Sequence, residues 1–180
     1  MRKNTLFIIF AFILLSFSVV LLSACNSFSQ QQLSAECVRI HIRANSNDDC
    51  DQNVKLKVRD EITKYLTVQL EGCLDKDDAI ATLSSEIPQL TAIADNTLQK
   101  HGYQYKSQVR LSNEYFPERK YDGYDFPKGN YDALIVELGS GVGDNWWCVA
   151  FPPLCFIPDS GNGEKIVYKS WIKEKLDKMF

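Results

Sequence analysis

Val38, Ile40 and Ile42 alternate with Arg39, His41 and Arg43, the period-two pattern of a half-buried strand. The polar run Asn45-Ser46-Asn47-Asp48-Asp49 breaks that pattern as a turn. From Asp51 onward Val54, Val58, Ile62, Tyr65, Leu66 and then Gln69 or Leu70 recur at three and four, with Lys55, Lys57, Arg59, Asp60 and Glu61 on the other faces. That spacing predicts an amphipathic helix with Asp51 as its N-cap and Gly72 at its close. A second helix is expected from Asp75 or Lys76, with Ile80, Leu83, Ile87, Leu90, Ala94 and Leu98 on one stripe and Gly102 as terminator. Pro88 either kinks this helix or divides it in two.

Beyond Gly102 the period returns to two. Tyr103, Tyr105, Ser107, Val109 and Leu111 share a face; Ala133, Ile135 and Glu137 alternate with Leu134, Val136 and Leu138; Trp147, Val149 and Phe151 alternate with Trp146, Cys148 and Ala150. Glu118 to Asn130, rich in charge, tyrosine, glycine and proline, reads as a long loop of the kind that carries function. Gly139 to Asp144 reads as the connection of a hairpin. The tail suggests a short strand, Ile166 to Lys169, and a C-terminal helix capped by Ser170. Strand, two helices, a run of antiparallel strands and a last helix predict an α+β domain, its mostly antiparallel sheet covered by helices on one face.

The start of the chain is of another kind. Arg2 and Lys3 precede an apolar run from Leu6 to Leu15, continued by Val19, Val20, Leu21 and Leu22, the signature of an export segment. Leu22-Ser23-Ala24-Cys25 resembles a bacterial lipobox, in which Cys25 is acylated and becomes the new N-terminus. The alternative is an uncleaved membrane anchor, since the run is nearly long enough to span a bilayer. Residues 1–25 are thus read as an export signal, 26–36 as a polar tether and 37–180 as a single domain. Among 180 residues there are 20 Lys+Arg against 23 Asp+Glu. Loss of Arg2 and Lys3 with the signal leaves a net charge of about −5, which with no basic stripe argues against nucleic acid as a partner.

Candidate chemistry is sparse. Gly139, Gly141 and Gly143 do not lead into a helix, as a phosphate-binding loop must, and so are read as a turn. Asp159-Ser160-Gly161 matches the core of an aspartic protease site, but it occurs once and sits among turn residues. Two histidines, His41 and His101, with no Cys-x-x-Cys, predict no metal site and no cofactor. Cys148 with His41 could form a thiol and imidazole pair, the basis of an alternative reading as an exported thiol-dependent hydrolase. Strand phase places His41 toward solvent if Ile40 and Ile42 are core. Cys148 and Cys155, separated by a span containing Pro152-Pro153, are either a disulfide or two buried thiols.

Asn145-Trp146-Trp147-Cys148-Val149-Ala150-Phe151-Pro152-Pro153-Leu154-Cys155-Phe156 is an unusual strand end. Adjacent tryptophans point to opposite faces, so one ring is turned outward and calls for a cover. The proline pair stops the ladder.

Four blocks in order, Arg39 to Ser46, Asp51-Gln52 with Leu56 to Asp60, Phe126 to Ala133, and Asn145 to Phe156, resemble the stage II sporulation protein R family. The resemblance covers Val38 to about Glu164. It implies a non-enzymatic signalling protein of endospore-forming bacteria, exported from the forespore into the space facing the mother cell. There such a protein activates a membrane-embedded aspartic protease, which cleaves the pro-segment from the sigma-E precursor. The lipobox departs from the family pattern, and Cys37, Cys50, Cys73 and His41 lie outside its motifs. The expected contact surface is the rim of Asn145, Trp146, Trp147, Pro152, Pro153 and Phe156, with Asn45 and Ser46 as a second patch, since aromatic anchors dominate interface energetics. The competing reading makes these rings core.

Overall fold

A computed structural model describes residues 36–121 and 124–152. The export signal with Cys25, the tether, Pro153, Cys155, Phe156, Asp159-Ser160-Gly161, the 166–169 strand and the C-terminal helix lie outside those residues. The element order is β1 (Val38–Arg43), α1 (Asp49–Gln69), α2 (Lys76–Lys100), β2 (Ser107–Phe116), β3 (Arg119–Tyr121), β4 (Tyr124–Phe126), β5 (Gly129–Leu138) and β6 (Asn145–Phe151).

The main sheet has the order β2-β5-β1-β6. β1 runs parallel to β5 and antiparallel to β6, and β2 is antiparallel to β5. The domain is α+β, with a mixed, mostly antiparallel sheet and both helices on one face. Val54, Val58, Ile62 and Leu66 of α1 and Leu83, Leu90, Ala94 and Leu98 of α2 form one core cluster with Ile40, Ile42, Leu134, Val136 and Ala150. Each such large apolar side chain stabilises the fold by about 1.5–3 kcal/mol relative to exposure.

The helix limits differ from the expected ones. α1 starts after Asp48, whose extended backbone makes it the N-cap, and Asp51 is buried inside the first turn. It stops at Gln69, ahead of Gly72, with Leu70 as an α-conformation cap. α2 is capped by Asp75, whose side chain accepts from the Asp78 N–H at 2.9 Å. It runs through Pro88 as one helix, with its apolar stripe against the sheet outweighing the lost backbone bond. Gly102 ends it with φ +85°, the left-handed conformation that suits glycine.

Three strand expectations also change. β2 begins at Ser107, so Tyr103 and Tyr105 precede it. Arg119–Tyr121 and Tyr124–Phe126 pair as a small hairpin within the span read as a long loop, and fully buried Phe126 anchors it to the second face of the sheet. β5 and β6 do not form a hairpin, because β1 lies between them and pairs with both. The connection 139–144 spans two strand spacings, about 10 Å, across the exit of β1.

Candidate functional site

β1 is not half-buried. Arg39 and His41 are 0% and 5% exposed on the face away from the helices, which corrects the expectation that His41 meets solvent. The Arg39 guanidinium lies 4.7 Å from the ring centre of Phe116, 5.0 Å from Tyr131 and 5.3 Å from Phe126. Its Nε donates to the Cys148 carbonyl at 2.9 Å. Arginine suits such a place because its planar, weakly hydrated cation stacks on aromatic faces.

One step along the strand, the His41 ring sits between Phe116, with centroids 5.8 Å apart, and Trp147, at 5.4 Å. Its Nδ1 is 3.3 Å from Glu114 Oε2. Burial lowers the proton affinity of the imidazole, Arg43 lowers it further, and Asn145 and Glu114 oppose them without reversing the direction. His41 is therefore neutral at pH 7.

At the top of the same face Arg43 donates to Glu114 at 2.7 Å and to Glu137. Arg110 joins Glu114 at 3.0 Å and Glu137 at 3.5 Å. Two arginines and two glutamates thus share a partly buried network beside His41. Because these groups bind one another, the net worth of the network is small, whereas removing one member strands the rest.

The tryptophans divide as strand geometry requires. Trp147 faces the His41 side and is covered by the Arg119 guanidinium of β3, 4.6 Å from its ring centre. Trp146 packs on the helix-side core with Arg59 of α1 5.6 Å from its ring. Both rings are half-buried, and Asn145 is exposed. The rim is thus two half-buried aromatic rings, each with an arginine head group over it, rather than a sealed core. Pro152 is buried behind a cis peptide bond to Phe151.

Asn45 and Ser46 are used internally. Asn45 Nδ2 and Ser46 Oγ donate to Asp51 Oδ2 at 2.8 and 2.7 Å, and the Tyr105 hydroxyl donates to Asp51 Oδ1 at 2.7 Å. Burial pushes the Asp51 carboxyl up, but these bonds outweigh it and hold it below the usual carboxylate range. Burial and the bond to Asp51 raise the Tyr105 hydroxyl. Asn45 Oδ1 and the Asn45 carbonyl accept from Ser140 N–H and Oγ at 2.9 and 2.6 Å, tying the 139–144 connection to the turn. Lys55 Nζ reaches the Asp144 carbonyl at 2.9 Å from α1.

Glu114, Glu137, Arg110 and Arg119 were not foreseen. The alternation Arg110-Ser112-Glu114 was a legible signal, since it continues the strand pattern past Leu111 with charge on one face.

The thiol and imidazole pair is not formed. Cys148 pairs with Ile40 and joins the helix-side core, whereas His41 points through the opposite face. Cys148 is also disulfide-bonded, so its sulfur is no nucleophile. Cys37 and Cys73 are buried free thiols and Cys50 is an exposed one. Burial pushes the Cys37 thiol up to about 12 against the pull of Arg39 and Lys76, leaving it protonated and unreactive. Among the described residues no cluster of three or more His, Cys, Asp or Glu side chains could hold a metal ion. Among those same residues no helix is long and apolar enough to cross a membrane.

Comparison with known proteins agrees along the chain. The family described as Stage II sporulation protein R (spore_II_R) matches residues 34–161. A relative named Stage II sporulation protein R, from Bacillus subtilis (strain 168), is 34% identical over 99% of this chain and 79% of its own length. No solved structure matches.

Proposed function

Since the chain belongs to the stage II sporulation protein R family, we propose that it is an exported, non-enzymatic sporulation signal that activates a membrane-embedded aspartic protease. That protease, on the mother-cell side, removes the pro-segment of the sigma-E precursor. The observation that carries this reading is the match over nearly the whole chain to a named sporulation protein. The separation of Cys148 from His41 removes the basis for the hydrolase alternative.

On this reading the N-terminal segment exports the chain into the space between the two membranes, where a lipid on Cys25 or the uncleaved segment anchors it. The protein acts by binding the active state of the protease in preference to the inactive one. The contact surface is the rim of Asn145, Trp146 and Trp147, with Pro153 and Phe156 as further contacts, while Pro152, buried in the free chain, shapes the strand end behind it. Arg119 and Arg59 move aside from the rings and a partner's apolar or acidic groups replace them, in keeping with the prominence of tryptophan and arginine at interface hot spots.

The test is co-expression of this chain, the protease and the sigma-E precursor in a non-sporulating host. Cleavage that depends on the chain is expected. Trp147→Ala should reduce it at least tenfold with the exported protein still folded, and Cys148→Ser should retain part of it. An absence of cleavage despite correct export would overturn the proposal.

A further inference from the structure

We propose that the outer edge of β2 is a self-association surface, on which a second copy of this chain pairs its own β2 in antiparallel fashion. β2 is an end strand of the main sheet, bonded on one side to β5 over ten residues. Natural sheets usually shorten, cover or charge so long an edge.

Two hydrogen bonds fix which backbone groups face outward. Lys106 O accepts from the Gly139 N–H at 2.9 Å, so the even-numbered positions turn toward β5. The Ser107 N–H turns the other way and is taken by Asp95 of α2 at 2.7 Å. By the alternation of an antiparallel strand, Val109, Leu111, Asn113 and Tyr115 then also present their N–H and C=O outward. Among the described residues no backbone group pairs with them on that side. The side chain of Tyr115 is 63% exposed beside this edge.

Charge selects the occupant. Arg110 and Glu114 lie on one face of β2, each two positions from Ser112. They already bind each other within one chain at 3.0 Å. In a pairing about a two-fold axis through Ser112, Arg110 of each copy also comes opposite Glu114 of the other, so that the two intrachain pairs join into one alternating cluster. Leu111 then exchanges backbone bonds with Asn113, and Val109 with Tyr115, giving roughly eight bonds in all. Moving the axis to Leu111 or Asn113 places Arg110 against Ser112 or Phe116 and loses both ion pairs between the copies. Opposite charges directly across strands favour the first register. The same patch serves both copies, as a two-fold interface requires.

In that register Ser112 meets itself in a non-hydrogen-bonded pair with Cα atoms about 4.5 Å apart, a separation that a disulfide can span. The full-length chain carrying Ser112→Cys should run mostly as a reducible dimer on a non-reducing gel. Gln108→Cys, on the same face but opposite Phe116, should stay at the background of the unsubstituted chain. Tyr115→Pro removes one outward N–H at a position whose side chain is 63% exposed, without touching the β5 ladder, and should weaken association at least tenfold in sedimentation equilibrium while the urea midpoint stays near its original value. Equal cross-linking at 112 and 108, or a chain that sediments as a monomer throughout, would overturn the proposal. A monomer that instead takes up an unrelated extended peptide along β2 would overturn it as well.

Discussion

Gly143 stands so close to the turn after β1 that a β-carbon on it would lie 2.2 Å from the Ser46 carbonyl oxygen. Its N–H is donated to the Ala44 carbonyl at 2.9 Å, so the backbone cannot retreat without breaking that bond. Gly143→Ala should therefore destabilise the fold by about 2 kcal/mol or more, read as a lower urea midpoint. Gly72→Ala is the contrast, since an added β-carbon there meets nothing within 4 Å. It should be neutral or stabilising by up to about 1 kcal/mol.

Asp51 gathers three donors from two other segments of the chain: Asn45 and Ser46 of the turn after β1, and Tyr105 ahead of β2. Asp51→Asn replaces an accepting oxygen by an amide that cannot accept. It should cost about 1–3 kcal/mol through the donor left without a partner, measured by chemical denaturation. Tyr105→Phe, which removes only one donor, should cost less.

Arg39 is enclosed by Phe116, Tyr131 and Phe126 and bonded to the Cys148 carbonyl. Arg39→Lys keeps the charge but offers a compact, strongly hydrated ammonium in place of a stacking plane. A loss of about 2–4 kcal/mol is expected, with Arg39→Lys no better tolerated than Arg39→Met. Equilibrium unfolding of the two variants checks the order.

His41 should make stability pH-dependent. Its folded-state proton affinity lies below the ordinary 6.5, so the unfolded chain takes up the proton first as pH falls. Its contribution is complete above about pH 6.5 and is lost as pH drops through the lower folded value. Asp51 and Asp132 are held below the ordinary 3.8. For Asp132 the first cause is the bond from Asn113, followed by Lys76. The contribution of both carboxylates persists above about pH 4 and is lost below it. The thermal midpoint should thus fall as pH drops below about 6.5, and His41→Gln should flatten that first decline while leaving the second.

Local periodicity carried much of this architecture. The stripes of Val54 to Leu66 and Leu83 to Leu98, the alternation in β1, β5 and β6, and the opposed rings of Trp146 and Trp147 were all legible. The burial of Arg39 and His41 was not, because their cover comes from Glu114, Phe116 and Arg119, on elements far along the chain. Alternation of polar and apolar residues normally signals one wet face, and here the polar face is closed by aromatic rings and paired charges. The place of β1 between β5 and β6 was illegible for a related reason. A Gly-rich connection between two strands reads as a hairpin until Ser140 and Asp144 are known to donate to Asn45 and Asn47, at the exit of β1. Asn45 and Ser46 drew notice as motif residues, and their bonds give that motif a bracing role.

The position of β1 also bears on the order in which the domain can be completed. The Arg43 side chain is held by Glu137, 94 residues later, and Arg39 by the carbonyl of Cys148, 109 residues later. The first strand to be synthesised is therefore the one that must wait longest for its neighbours. Until β5 arrives, Val38 to Arg43 is an apolar-faced ribbon with both backbone edges open, and until Phe151 arrives one edge stays open. A fold dominated by such distant pairings assembles slowly. Its middle strand acts as a completion check, because the sheet cannot close around β1 until nearly every described element has been made.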